Sequence, residues 1–465
     1  MRSALHALPS AAVVLLGLGL GAGCGGPDEP QALGPVLLVG MDGLDPTIVA
    51  ELLHDGRLPN FARFAEQGVL GRLTTLEPTY SPVIWTTIAT GQALTAHGID
   101  FFIDTRSTGL PYTSEARRVP ALWNIVSDAG LGVDVVGWWV SWPAEPVNGR
   151  ILASYAAQAQ AHVIWKAAYD ADQVPEQTWP EDLWDVVRDD IVFAEDREQV
   201  QQQFNSRFKV PDIQDEPVPR LVRDLAWTLS ADRSNLAVAE RFLSDDPGDL
   251  VMTYLGLPDV AGHRFWRYHA PGDFHYEVPP AHLDALGDVL NLAYVDVDEA
   301  LGRLMSLVDE RWTILLCSDH GMHADPLMLD DPVSLGSGHH LDAPPGIFGA
   351  LGRGIAAGGE HLGDAPLGTV FDVAPTVLRL LGLPQPEHWP SVASGNGLDR
   401  VLDPEFARAN PARTCESPDL DWVRAHPRSL PRSPTEHANE DFTDQLDALG
   451  YLDSLNKPTG DADQN

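Results

Sequence analysis

Lysine is nearly absent from this chain, standing only at Lys166, Lys209 and Lys457. Arginine supplies the rest of the positive charge, and the acidic excess leaves a formal net charge of −37. A surface of that sign repels polyanions at long range, which excludes nucleic acid as a partner. An anionic substrate would then need local positive charge, most simply from metal ions; a salt-rich habitat would favour the same acidity. Cysteine is as scarce, with Cys24, Cys317 and Cys415 alone, and gives no disulfide framework. Long apolar runs are missing too: the longest candidate, Ala11 to Leu20, is too short for a permanent membrane-spanning helix. No internal repeat and no glycine motif for nucleotide phosphates stands out.

The short apolar run has another use. It follows Met1-Arg2 and leads through Gly21-Ala22-Gly23 to Cys24, the pattern of an export signal that resembles a bacterial lipoprotein cleavage box. The expectation is a signal peptide over 1–23, a lipid anchor at Cys24, a tether over 24–34, and a place in the cell envelope, periplasmic or at the cell surface.

The 465 residues, 44% hydrophobic, suffice for one large core with insertions. Short apolar runs at Val36 to Met41, Gly68 to Thr75, Val133 to Val140, Asp249 to Leu257, Thr313 to Ser318 and Gly346 to Leu351 suit strands covered on both faces. Helical patterns alternate with them: Pro46 to His54, Pro59 to Gln67, Ala121 to Ala129, Arg220 to Leu243, Ala285 to Val308 and Val370 to Leu381. The fold class is therefore α/β, a mostly parallel central sheet flanked by helices. A polar, proline-broken stretch over 155–219 reads as a helical lid insertion. A catalytic domain over 35–384 is followed by an irregular C-terminal extension over 385–465, with a short helix near Phe442 to Leu449. Cys317 lies within an apolar strand and reads as a buried small hydrophobe.

Chemistry gathers at the strand ends. Asp42 closes the first strand, Asp259 and His263 follow a later one, Asp319-His320 end the next, and His339-His340 precede the last. Each alone is an ordinary turn or cap residue, but ligands of open α/β sheets collect at the carboxyl ends of strands. Carboxylates and imidazoles suit zinc and other first-row divalent ions. Ser81-Pro82 reads as the start of a helix, with Ser81 as N-cap and Gly91 as its end. A hydroxyl there lies beside unpaired N–H groups and the positive end of the helix dipole. Two metals beside it would neutralise a phosphate and activate the Ser81 hydroxyl as nucleophile. His97 and His323 read as local structural hydrogen-bonders, and His269 is unassigned.

In order, Met41-Asp42-Gly43, Pro78-Thr79-Tyr80-Ser81 through Thr90-Gly91, His97-Gly98-Ile99, Asp259-Val260-Ala261-Gly262-His263, Ser318-Asp319-His320-Gly321, Ser337-Gly338-His339-His340 and Asp372-Val373-Ala374-Pro375-Thr376-Val377-Leu378 resemble the type I phosphodiesterase/nucleotide pyrophosphatase family of the alkaline phosphatase superfamily. The resemblance implies an alkaline phosphatase-like fold and a two-metal hydrolase of phosphate esters. It implies one metal on Asp259, His263 and a later histidine, and a second on Asp42, Asp319, His320 and Ser81; from the ligand types the expected ions are zinc. Between His339 and His340, the family form favours His340. Ser81 matches the nucleophile that forms a covalent phospho-enzyme. Phe102 and Ile84 stand where nucleotide pyrophosphatases of the family carry asparagines, so a polar contact to the phosphoryl group is lost. The expected substrate is a small phosphorylated molecule, a phosphodiester first, with a phosphomonoester or phosphonate as the alternative and a non-catalytic metal-binding lipoprotein as the rival. Specificity is expected from the lid and from groups around Trp85 and Phe102. No residues fit the formylglycine setting of a sulfatase.

Overall fold

The computed structural model describes residues 33–104, 111–154, 156, 176–193, 196–358, 362–363, 365–395 and 397–416. The export signal, Cys24, the 157–175 part of the lid insertion and the helix expected near Phe442 lie outside the described residues.

The strands of the described residues, in chain order, are β1 (Val36–Met41), β2 (Val69–Thr74), β3 (Val133–Val136), β4 (Gly149–Leu152), β5 (Thr178–Trp179), β6 (Leu250–Leu255), β7 (Thr313–Cys317), β8 (His323–Ala324), β9 (Gly338–His339), β10 (Gly346–Gly352), β11 (Gly368–Thr369) and the mutually paired β12 (Gln385–Pro386) and β13 (Thr414–Cys415). Nine of them form one sheet in the order β11-β2-β10-β7-β1-β6-β3-β4-β5, while β8 and β9 make a small separate ribbon. The central run β7-β1-β6-β3-β4 is parallel throughout. β10 is antiparallel to both of its neighbours, β2 and β7.

Every residue of β1 is buried, and alternate side chains feed opposite faces, as a two-residue period requires. Val36 and Leu38 join a core with Trp85, Trp123, Trp138 and Val377. Leu37, Val39 and Met41 join another with Phe64, Phe242, Phe265 and Leu301. Helices Ser81–Thr90, Leu122–Asp128 and Val373–Leu380 thus cover one face. Helices Pro46–His54, Pro59–Gln67, Val218–Ser244, Leu257–His269 and Val289–Met305 cover the other. Cys317 is fully buried in β7, as expected of a small hydrophobe.

Within the insertion, helix Arg197–Arg207 buries Val200 and Phe204 against the second core, and Arg207 pairs with Asp296 at 2.6 Å. The stretch after Pro384 is less irregular than its prolines suggest. Helices Pro390–Ser394 and Pro404–Ala409 form there, and Trp389, Leu398 and Val401 are buried in the first core. Those apolar residues lack a long period, so their burial depends on partners distant in sequence.

Candidate metal centre

Register brings the candidate residues to one edge of the sheet. Met41 of β1 pairs with Leu255 of β6, and Gly40 with Cys317 of β7. Residues that leave these three strands therefore emerge side by side: Asp42, then the helix holding Asp259 and His263, then Asp319-His320. The antiparallel β10 starts where β7 stops, with Phe348 opposite Cys317. Its lead-in, His340, consequently arrives at the same edge.

Gly43 makes the closeness possible. Its φ is +71°, and a Cβ there would lie 2.7 Å from the Asp259 Cα, so only glycine fits the turn. The Gly43 N–H donates to Asp319 Oδ1 at 3.3 Å and Leu44 N–H to Ser318 Oγ at 2.8 Å. Asp45 then caps helix 46–54 through Thr47 N–H at 2.8 Å.

Asp42, Asp319 and His320 bring one ligand atom each within 4.8 Å of the others, and so do Asp259, His320 and His340. His320 Nε2 lies 3.4 Å from Asp42 Oδ1 and 3.3 Å from Asp319 Oδ2. Asp259 Oδ1 lies 3.4 Å from His263 Nε2 and 3.9 Å from His340 Nε2, and the two imidazole nitrogens are 3.1 Å apart. His320 thus borders both groups, a sharing that the family resemblance did not suggest; its ring stacks on His340 with centroids 3.7 Å apart. His340, fully buried, is the member of the His339-His340 pair that joins the carboxylates. His339 accepts the Leu341 N–H on Nδ1 at 3.0 Å instead.

These atoms fit a divalent cation. Asp42 Oδ1, Asp259 Oδ1, Asp319 Oδ2 and His320 Nε2 are buried without a hydrogen-bond partner, an arrangement that is costly unless something positive sits among them. His263 Nδ1 meets the Gly338 carbonyl and His320 Nδ1 the Gly321 carbonyl, both at 2.9 Å. A carbonyl only accepts, so each Nδ1 carries the proton and each Nε2 offers its lone pair inward. Zinc bonds of about 2.0–2.1 Å set ligand atoms roughly 3.3–3.4 Å apart on a tetrahedron, close to the separations above. Without a cation the charges conflict. Burial and the neighbouring Asp42 push the Asp259 and Asp319 carboxyls well above the ordinary range. Burial also holds His263 and His340 well below the usual imidazole value, which keeps them neutral as ligands must be.

Ser81 is buried, 3% exposed, in a helix all of whose residues are buried. The N-cap is Tyr80 rather than Ser81, which occupies the first helical position, and no side chain caps this end. The Ser81 hydroxyl is therefore not consumed by capping. The helix tolerates full burial because Thr86, Thr87 and Thr90 donate to carbonyls one turn back at 2.6–3.0 Å. Residues on either side of Ser81 touch the ligand candidates: Thr79 Oγ1 donates to the His340 carbonyl at 2.7 Å, and Trp85 Nε1 to Asp42 Oδ2 at 2.9 Å. Trp85 is fully buried and turned to Asp42. Phe102 is 7% exposed among Tyr80, Phe101 and Trp139.

His97 and His323 behave structurally, as expected. His97 accepts the Ile99 N–H on Nδ1 and meets Thr87 Oγ1 through Nε2 at 3.1 Å. Burial, helped by the Arg117 charge, lowers its pKa to about 3. His323 bonds Asp342 and the Ala324 carbonyl.

Compared with known proteins, residues 36–340 match the family model described as Type I phosphodiesterase / nucleotide pyrophosphatase. The 2,3-bisphosphoglycerate-independent phosphoglycerate mutase of Haloarcula marismortui is 31% identical over 165 residues, 35% of this chain and 26% of that protein. Its counterpart from Rippkaea orientalis is 35% identical over 114 residues, 23% of this chain and 21% of that protein. The chain thus spans about a quarter of the length of the curated relatives it matches. Among solved structures, inactive murine ectonucleotide pyrophosphatase/phosphodiesterase 5 in complex with AMP aligns with a TM-score of 0.46 at 14% identity, over 80% of this chain and 100% of that one. Phosphonoacetate hydrolase from Sinorhizobium meliloti with phosphonoformate aligns with a TM-score of 0.38 at 16% identity, over 64% of this chain and 58% of that one.

Proposed function

The chain belongs to the type I phosphodiesterase/nucleotide pyrophosphatase family, and from that premise we propose that it hydrolyses a small phosphodiester through Ser81 at a two-metal centre. The observation that carries this is the set of buried, unpartnered ligand atoms on Asp42, Asp259, Asp319 and His320 beside the Ser81 helix. Asp42, Asp319 and His320 would hold one ion next to Ser81, and Asp259, His263 and His340 the other. Zinc suits the donors. Bound there, such ions supply the positive charge that this acidic chain lacks and acidify an oxygen they touch.

The residues themselves do the rest. Ser81 Oγ, placed at the positive end of its helix, attacks phosphorus; the Oγ–P bond forms as the bond to the leaving oxygen breaks, and the hydroxyl proton ends on the departing alcohol. Water then cleaves the phospho-serine, returning the hydroxyl and releasing phosphate ester. The loss of the asparagines at Ile84 and Phe102 favours a substrate other than a nucleotide. The insertion over 155–219 is proposed as the lid, and Cys24 as a lipid anchor after export. Among the described residues no helix is long and apolar enough to cross a membrane.

Ser81→Ala should abolish turnover while metal content and unfolding midpoint stay at wild-type values; a fully active variant would rule out the nucleophile. Wild-type rates on bis-p-nitrophenyl phosphate, p-nitrophenyl phosphate and a phosphonate monoester then identify the class. Fastest cleavage of the diester supports the proposal, whereas a monoester or phosphonate preference replaces it with the corresponding hydrolase. Absence of activity on all three with metal bound would support a binding lipoprotein.

A further inference from the structure

Asp42 does not use its two oxygens alike. Oδ1 faces His320 and has no hydrogen-bond partner, while Oδ2 accepts the Trp85 indole N–H at 2.9 Å and the Tyr254 hydroxyl at 2.6 Å. The donors come from separate elements: Trp85 from helix 81–90 and Tyr254 from the end of β6. Two donors on one carboxylate oxygen fill its lone pairs and prevent rotation about the side chain.

The donors are themselves fixed. The Trp85 and Tyr254 rings meet edge to face with centroids 5.3 Å apart, and Trp138 packs on Trp85 at 5.1 Å in the same manner. Trp138 Nε1 also donates to the Trp85 carbonyl at 3.2 Å. Beneath the indole lies Gly40, two residues before Asp42, where a Cβ would come within 2.6 Å of the ring. The indole therefore rests on the backbone of the very strand whose carboxylate it holds. Trp85 is also one helical turn beyond Ser81, so nucleophile and carboxylate are referenced to one rigid segment.

Resting on the reading that Asp42 holds a metal ion, we infer that Trp85 and Tyr254 are positioning residues that reserve Oδ2 and present Oδ1 alone, making Asp42 a one-oxygen ligand in fixed register with Ser81. Outer partners of this kind command about 10–100-fold in metal affinity.

The variants Trp85→Phe and Tyr254→Phe keep an aromatic ring and remove one donor each. Zinc dissociation constants from chelator-buffered titration, with unfolding midpoints of the metal-free protein, form the test. Each variant is expected to bind zinc about 10–100-fold more weakly while its metal-free midpoint stays near wild type. Should Trp85→Phe fail to fold, Tyr254→Phe, which loses a single oxygen, carries the test alone. Unchanged zinc affinity in the folded variants, or a loss that only tracks lost metal-free stability, overturns the inference while the two-metal proposal stands. A wild-type chain that takes up no zinc after reconstitution overturns the metal proposal itself and this inference with it.

Discussion

At the residue scale, His339 and His340 are adjacent imidazoles with opposite surroundings. His340 has no exposed surface and stacks on His320, whereas His339 turns to the Leu341 N–H in the ribbon formed by β8 and β9. His340→Ala should lose bound metal and lose rate by more than the roughly 100-fold that an outer partner commands. His339→Ala should keep its metal. Metal analysis beside turnover for the two variants decides it, and the reverse outcome would reassign the ligand. Residue chemistry of this kind was largely legible beforehand, because Asp42, Asp259, Asp319 and His320 each follow a short apolar strand closely. The roles of Trp85 and Tyr254 were not. Their shared acceptor, Asp42, lies 43 and 212 residues away in sequence, and no local pattern marks such a partner.

At the scale of elements, helix 257–269 carries Asp259 and His263 yet begins at Gly256 with no side-chain cap of its own. The missing cap comes from across the fold. Asp232, in the middle of helix 218–244, accepts the Gly256 and Leu257 N–H groups at 2.8 and 2.9 Å. Asp232→Ala should destabilise the protein by about 1–2 kcal/mol, as loss of a buried cap does, read from denaturant unfolding. Burial, with the Asp296 charge adding to it, pushes the Asp232 carboxyl up to about 7 against the pull of those N–H groups. Its folded pKa thus exceeds its unfolded one, so its contribution is full below the ordinary carboxylate range and is lost as pH rises through about 7. The unfolding-midpoint advantage of wild type over Asp232→Asn should therefore shrink steadily from about pH 4 to about pH 7 and level off above that in metal-free protein. A constant difference would mean that Asp232 does not titrate there. Strand and helix positions were mostly readable from apolar runs, but the direction of β10 was not. Short apolar runs look alike whichever way they are inserted, and only that reversed direction explains why His340 reaches the carboxyl edge.

At the scale of the whole molecule, the net charge of −37 acts on stability as well as on partners. Self-repulsion of a strongly charged compact state is relieved by salt. The unfolding midpoint should rise as sodium chloride increases from low concentration to about 0.5 M, where the Debye length falls to a few ångströms. A flat or falling midpoint would show that local ion pairs, such as Arg207 with Asp296 and Arg150 with Asp134, outweigh the overall repulsion. Composition made this sign of charge plain from the outset. Which acidic groups meet in space was a property of strand order, in which β1 lies between β6 and β7 although the chain visits them far apart.

That strand order also sets a timetable. The ligand groups draw on positions 42, 259, 319, 320 and 340, so no newly made chain holds both of them until His340 has left the ribosome. Small metal-dependent domains, with ligands close in sequence, can fold around an early ion. Here an ion bound as proposed would have to wait until the sheet had brought its ligands together. A chain cut short before His340 would then lack the second group however well its early strands assemble. Ions bound as proposed would tie the end of β1 to the ends of β6 and β7 and to the segment leading into β10, and separating those strands would have to wait for their departure.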